Sequence, residues 1–149
     1  MADFTPDSII AVAAAVRDHA NTFIFSALSE RGIHDLLPAH GAVLHALFIK
    51  SPMQMGELAK AIGRKKNTVT GLINTLEERG YCHREPDPSD ARAQQVVLTA
   101  KGERVRAEQA AVSALLLDTV WQGVDEEDQR ICMQTLKTIL ENLRGKDSD

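Results

Sequence analysis

No stretch of these 149 residues approaches the roughly 18 uncharged apolar positions that a membrane-spanning helix needs. Residues 1–4 also lack the basic segment that opens a secretory signal, so the sequence predicts a cytoplasmic protein with no membrane partner. Cysteine is scarce. Cys82 and Cys132 stand far apart, form neither a disulfide framework nor a CxxC metal pair, and are expected to be reduced and packed. There is no P-loop, GxGxxG, HExxH or GxSxG pattern, and no serine, histidine and acid are recognisably arranged for nucleophilic work. Neither an enzyme nor a resident cofactor is therefore expected. Metal binding fares no better: His40 and His45 would lie about 140° apart around a helix, and the C-terminal third offers no histidine to complete a site.

What is present suits one compact domain over residues 1–149, with 44% hydrophobic and 26% charged content. The net charge of -4 argues against a nucleic-acid partner until its distribution is considered. Residues 51–104 hold nine basic and seven acidic side chains, whereas the remainder holds eight basic and fourteen acidic. The acidity lies outside the segment that carries the motifs below.

Apolar spacing and breakers give the element order. Thr5-Pro6 opens a long helix that runs to about Gly32, apolar over much of its circumference and so expected to bury against a partner subunit. Pro38 starts a second helix that Ser51-Pro52 breaks; a short one follows from about Gln54 to Ala61, ended by Gly63. The next begins near Asn67 and ends at Gly80. Tyr81 to Glu85 and Gln94 to Leu98 read as two strands joined by the turn-rich Pro86-Asp87-Pro88-Ser89-Asp90. Thr99 caps a long helix, and Asp125 opens a last one with Met133, Leu136, Ile139, Leu140 and Leu143 at three- and four-residue spacing.

The helix from Asn67 has two distinct faces. Val69, Leu72, Ile73 and Leu76 form one buried stripe, while Asn67, Gly71 and Asn74 fall near the opposite side, flanked by Thr70 and Thr75. A merely solvated face usually carries long Lys and Glu side chains. This one offers amides, hydroxyls and a glycine that allows close approach, which suits a DNA groove. Arg64, Lys65 and Lys66 stand at the helix start, where the dipole also attracts phosphates. A protein-docking use of the same fold would instead need apolar anchors on that face.

Two helices around the Gly63 turn with a hairpin directly behind predict a mainly helical fold with a small β-hairpin wing: a winged helix-turn-helix over residues 53–102. The segments Glu57-Leu58-Ala59, Asn67-Thr68-Val69-Thr70, Leu76-Glu77-Glu78-Arg79-Gly80, Asp87-Pro88-Ser89-Asp90-Ala91-Arg92 and Leu98-Thr99-Ala100-Lys101-Gly102 resemble the MarR family of bacterial regulators. The resemblance implies a homodimer built by the terminal helices, residues 5–36 and 103–144, bound to double-stranded DNA. It places the second helix of the turn motif in the major groove and Arg92 in the adjacent minor groove, with Asp90 pairing to hold Arg92. The DNA-contacting set on this reading is Arg64, Lys65, Lys66, Asn67, Thr68, Thr70, Gly71, Asn74, Thr75, Arg84, Asp90 and Arg92. Ala91 stands where a second wing arginine is common, so fewer charges would reach DNA. Peroxide-sensing relatives carry a cysteine in the first helix; this chain has none. The resemblance also implies a small aromatic or apolar effector, for which His19, Phe23, Phe25 and His45 are candidate lining residues.

Overall fold

The computed structural model describes residues 4–145. A single 3-10 turn, Pro6–Ser8, leads into α1 (Ile9–Glu30), followed by α2 (Pro38–Ile49), β1 (Met53–Gln54), α3 (Met55–Ile62), α4 (Lys66–Glu78), β2 (Cys82–Asp87), β3 (Asp90–Leu98), α5 (Ala100–Val120) and α6 (Glu126–Arg144). The architecture is mainly helical with one small antiparallel sheet, as the sequence predicts. The chain divides into two compact units between Ser113 and Ala114, inside α5.

In the first unit the apolar positions of α2, α3 and α4 converge. Val43, Leu44 and Leu47, then Leu58, then Val69, Ile73 and Leu76 are buried, and Tyr81, Cys82, Val96 and Val105 complete the same cluster. α3 ends at Gly63, whose φ of 64° lies in the left-handed region where a side chain is strained, so the chain turns there and enters α4. Tyr81 ties the end of α4 to the loop after α1: its buried hydroxyl donates to the Asp35 carboxylate, and Arg79 donates to the Asp35 carbonyl. Burial and the neighbouring Asp35 both push the Tyr81 hydroxyl pKa upward.

The wing differs from expectation in three ways. Both strands extend past the expected limits, leaving only Pro88 and Ser89 between them. Their register runs from Cys82↔Leu98 through Arg84↔Val96 to Asp87↔Asp90. A third strand, β1, pairs with the other side of β3 through Met53↔Val96 and Gln54↔Gln95, giving the order β1-β3-β2. Third, Asp87 is buried and acts as a peg: it accepts from the Ser89 amide at 2.8 Å, the Ser89 hydroxyl at 2.7 Å and the Gln54 side-chain amide. These donors hold its carboxyl below the usual range, the Ser89 bonds first among them. The wing turn is thereby tied to the residue that precedes α3.

The helix starts also refine the reading. Thr5 makes no side-chain cap; the Ser8 hydroxyl instead donates to the Thr5 carbonyl at 2.7 Å. Thr99 does cap α5, accepting from Gly102 N at 3.2 Å, and Asp125 caps α6 through Asp128 N at 2.9 Å. In α1 only Leu28 is buried, while Ile10 and Val16 lie open. In the second unit α6 buries nothing, and Ile131, Met133, Leu136, Leu140 and Leu143 are exposed. Cys132, expected to be packed, is exposed for the same reason.

Candidate nucleic-acid interface

α4 carries the two faces its sequence predicts. Val69, Ile73 and Leu76 are buried with Leu72 beside them, whereas Asn67, Thr68, Gly71 and Asn74 are exposed and Thr70 and Thr75 half-exposed. The two half-exposed threonines donate to carbonyls one turn back, Thr70 to Lys66 at 2.9 Å and Thr75 to Gly71 at 3.3 Å. Their methyls and remaining lone pairs stay available. Gly71 is the informative residue. A Cβ built there would meet nothing within 4 Å among the described residues, so nothing in their packing calls for a glycine in mid-helix. Its cost of about 1 kcal/mol relative to alanine makes sense where an outside surface comes close.

The start of α4 has a second unusual property. Lys65 occupies the N-cap and makes no side-chain cap, since an ammonium can only donate. Arg64, Lys65 and Lys66 therefore add charge to a helix end whose first amide hydrogens lack a capping acceptor, an arrangement that favours an incoming anion. Between this end and the wing lies an open trough of about 620 Å³, lined among others by Gln54, Gly56, Lys66, Thr70, Arg84 and Arg92. It unites the charge of α4 with that of the wing.

Two wing residues play parts that sequence reasoning missed. The Arg84 guanidinium is engaged by Glu77 through Nε at 3.1 Å and Nη2 at 2.7 Å, and the Arg84 amide donates to the same carboxylate at 2.9 Å. The Arg84 amide and guanidinium hold Glu77 below the usual range. Arg84 thus braces β2 against α4, with its charge largely neutralised. Asp90 does not pair with the Arg92 guanidinium as expected. It accepts from the Arg92 backbone amide at 3.0 Å, fixing the backbone and leaving the side chain free to swing. Arg92 itself is exposed and forms no ion pair among the described residues.

The sequence pattern of the MarR family matches residues 37–93. The HTH-type transcriptional regulator YkoM of Bacillus subtilis (strain 168) is 30% identical over 116 residues, which span 73% of this chain and 75% of YkoM. The chain belongs to the MarR family. Among solved structures, the transcriptional regulator PA3341 is 30% identical with a TM-score of 0.71, covering 92% of this chain and 96% of that one. The S. aureus MepR-DNA complex shares the fold at a TM-score of 0.78 and 20% identity, over 94% of this chain and 99% of that one. By their names YkoM and PA3341 are transcriptional regulators, a class that is not enzymatic.

The effector candidates of this MarR-family chain are not brought together in the subunit. Phe25 lines a hollow of about 370 Å³ with Leu36 and Pro38. His19 lines another, of about 410 Å³, along α1. His45 lines a third, of about 260 Å³, with Ile49 and Met53, and Phe23 lines none of the three. Periodicity could not separate these positions because each hollow uses a different face.

Cys82 is 1% exposed, and burial followed by the charge of Glu77 pushes its thiol up to about 12. Iodoacetamide at about pH 8 is therefore expected to leave Cys82 unmodified in the folded protein and to label it only after denaturation, as read by peptide mass spectrometry. Rapid labelling of the native chain would contradict this packing.

Proposed function

We propose that this protein is a homodimeric repressor that binds a palindromic operator in double-stranded DNA, one winged helix per half-site. Residues 53–102 form the reading region and the helices within 5–36 and 103–144 join the subunits. A small aromatic or apolar effector releases the DNA by changing the separation of the two readers. The observation that carries this reading is the outer face of α4: small, polar, centred on an otherwise unexplained Gly71, and continuous with the uncapped basic helix start and the wing arginine across one trough. No apolar anchor lies on that face, so a protein-docking use is not favoured.

On this reading Asn67 and Asn74 face base edges, Thr68, Thr70 and Thr75 meet sugars, phosphates or thymine methyls, and Arg64, Lys65 and Lys66 neutralise phosphates. Arg92 enters the flanking minor groove, positioned by Asp90 and supported by the brace that Arg84 forms with Glu77. Support for a dimer comes separately from α1 and α6, each of which presents large apolar side chains that its own unit leaves uncovered. Of the effector candidates His19, Phe23, Phe25 and His45, three line separate hollows (His19, Phe25 and His45), so an effector would use one of these; the Phe25 hollow is next to the start of α2.

Fluorescence anisotropy on duplex DNA from upstream of its own gene tests the proposal. The expected result is tight binding that weakens steeply with salt, at two subunits per duplex; absence of salt-dependent binding would overturn it. Gly71→Ala separates fold from function. It is expected to raise the unfolding free energy by about 0.5–1 kcal/mol. It should also weaken operator binding at least about fivefold, because the added methyl occupies the closest approach.

A further inference from the structure

Away from the trough, a small cavity of about 260 Å³ is lined by Arg31, Ile33, Tyr81, Lys101, Arg104 and Glu108, together with Gly32 and Val105. Its ionic content is three cations and one carboxylate, a formal excess of two positive charges. Glu108 is committed to Arg31 at 3.1 Å. Lys101 lies 4.3 Å from the centre of the Tyr81 ring and donates one hydrogen to the Arg79 carbonyl at 2.7 Å, which leaves two ammonium hydrogens free. Arg104 makes no hydrogen bond or ion pair among the described residues. Lys101 and Arg104 also stand in the opening turns of α5, at the positive end of the helix dipole. The acid of that first turn, Glu103, is drawn to Arg106 at 3.1 Å. Cations gathered at the end of a helix that already repels them constitute an electrostatic conflict that a bound anion would relieve.

We infer that this cavity is a binding site for a small phosphate monoester. Charge selects the class: a monoester carries close to two negative charges near neutral pH and matches the excess, whereas a monocarboxylate or a phosphodiester supplies one. The Arg104 guanidinium presents a planar fork suited to two phosphate oxygens, and Lys101 adds a point charge. Ile33, Val105 and Tyr81 line the cavity and give the organic part apolar contact. The volume falls just below the roughly 300–1,000 Å³ of drug-sized sites, which selects a small metabolite over a nucleotide. This site shares no residue with the trough between α4 and the wing.

Isothermal titration of the full chain, without DNA and at about 0.15 M ionic strength, tests the inference. Calorimetry is preferred to thermal shift because phosphate salts stabilise proteins in general by exclusion from their surface. Glycerol phosphate is expected to bind saturably, while dimethyl phosphate and benzoate, each singly charged, bind at least about tenfold more weakly. Arg104→Gln, at an exposed position without partners, should keep the fold by circular dichroism and lose at least about tenfold in glycerol phosphate affinity. Lys101→Gln should lose a similar factor. Absence of binding by the wild type, equal binding of the singly charged probes, or wild-type affinity in both variants would each overturn the assignment.

Discussion

Arg92→Ala is expected to lower operator affinity by about tenfold and to reduce the salt dependence of binding by about one counterion. Thermal stability should stay within about 0.5 kcal/mol of the wild type. The size of the effect follows from how few charges the wing presents. Arg84 is consumed by Glu77, and Ala91 offers none, so Arg92 is the exposed cation at the tip. The Asp90 and Asp87 carboxylates act on the backbone of the turn rather than on the arginine head, so removing that head leaves the hairpin intact. Anisotropy titrations at several salt concentrations, paired with thermal unfolding, check both halves. Unchanged affinity, or a lost wing fold, would remove Arg92 from the proposed role.

The second large effect is on the fold. Gly102→Ala is expected to destabilise the protein by about 3 kcal/mol, lowering the melting midpoint by roughly 6–12 °C for a chain of this size. A Cβ at Gly102 would lie 2.2 Å from the Tyr81 carbonyl oxygen and 3.0 Å from a Leu98 methyl. The first neighbour is backbone and cannot step aside without moving the start of β2. The same joint is held from other directions, by the Thr99 amide on the Tyr81 carbonyl at 3.1 Å and by the Thr99 hydroxyl on the Gly80 carbonyl. Relief of the clash would therefore open the point where sheet meets α5. Denaturant unfolding gives the number, and a change under about 0.5 kcal/mol would show that the joint yields more easily than its hydrogen bonds imply.

The parts legible in the sequence are those where one side chain pattern repeats over several turns. α4 declares its inner stripe and its polar outer face because burial alternates with a helical period from Val69 to Leu76. Gly63 marks its turn because the left-handed backbone there disfavours other residues. β1 was not legible: two residues establish no period, and Met53 reads equally well as the lead into α3. The outer half of β3 was missed because Asp90 to Gln94 have no buried residue among them, so no alternation betrays the strand. The roles of Asp87 and Arg84 depend on partners far along the chain, Gln54 for the first and Glu77 for the second, and spacing alone carries no such information. The scattered hollows around His19, Phe25 and His45 failed for a related reason, since chemical similarity does not place side chains in one cavity.

The separation of the two faces of α4 bears on how such a regulator diverges. Asn67, Gly71 and Asn74 make no demand on the core, so exchanging the two asparagines leaves the folding free energy nearly untouched and replacing the glycine even adds to stability, while Val69, Ile73 and Leu76 tolerate little change. A duplicated gene could therefore explore new DNA sequences along a nearly neutral path, with retargeting free of the stability penalty that usually limits adaptive substitution. On the proposed role of α4, recognition is in this sense a replaceable surface on a core that stays the same.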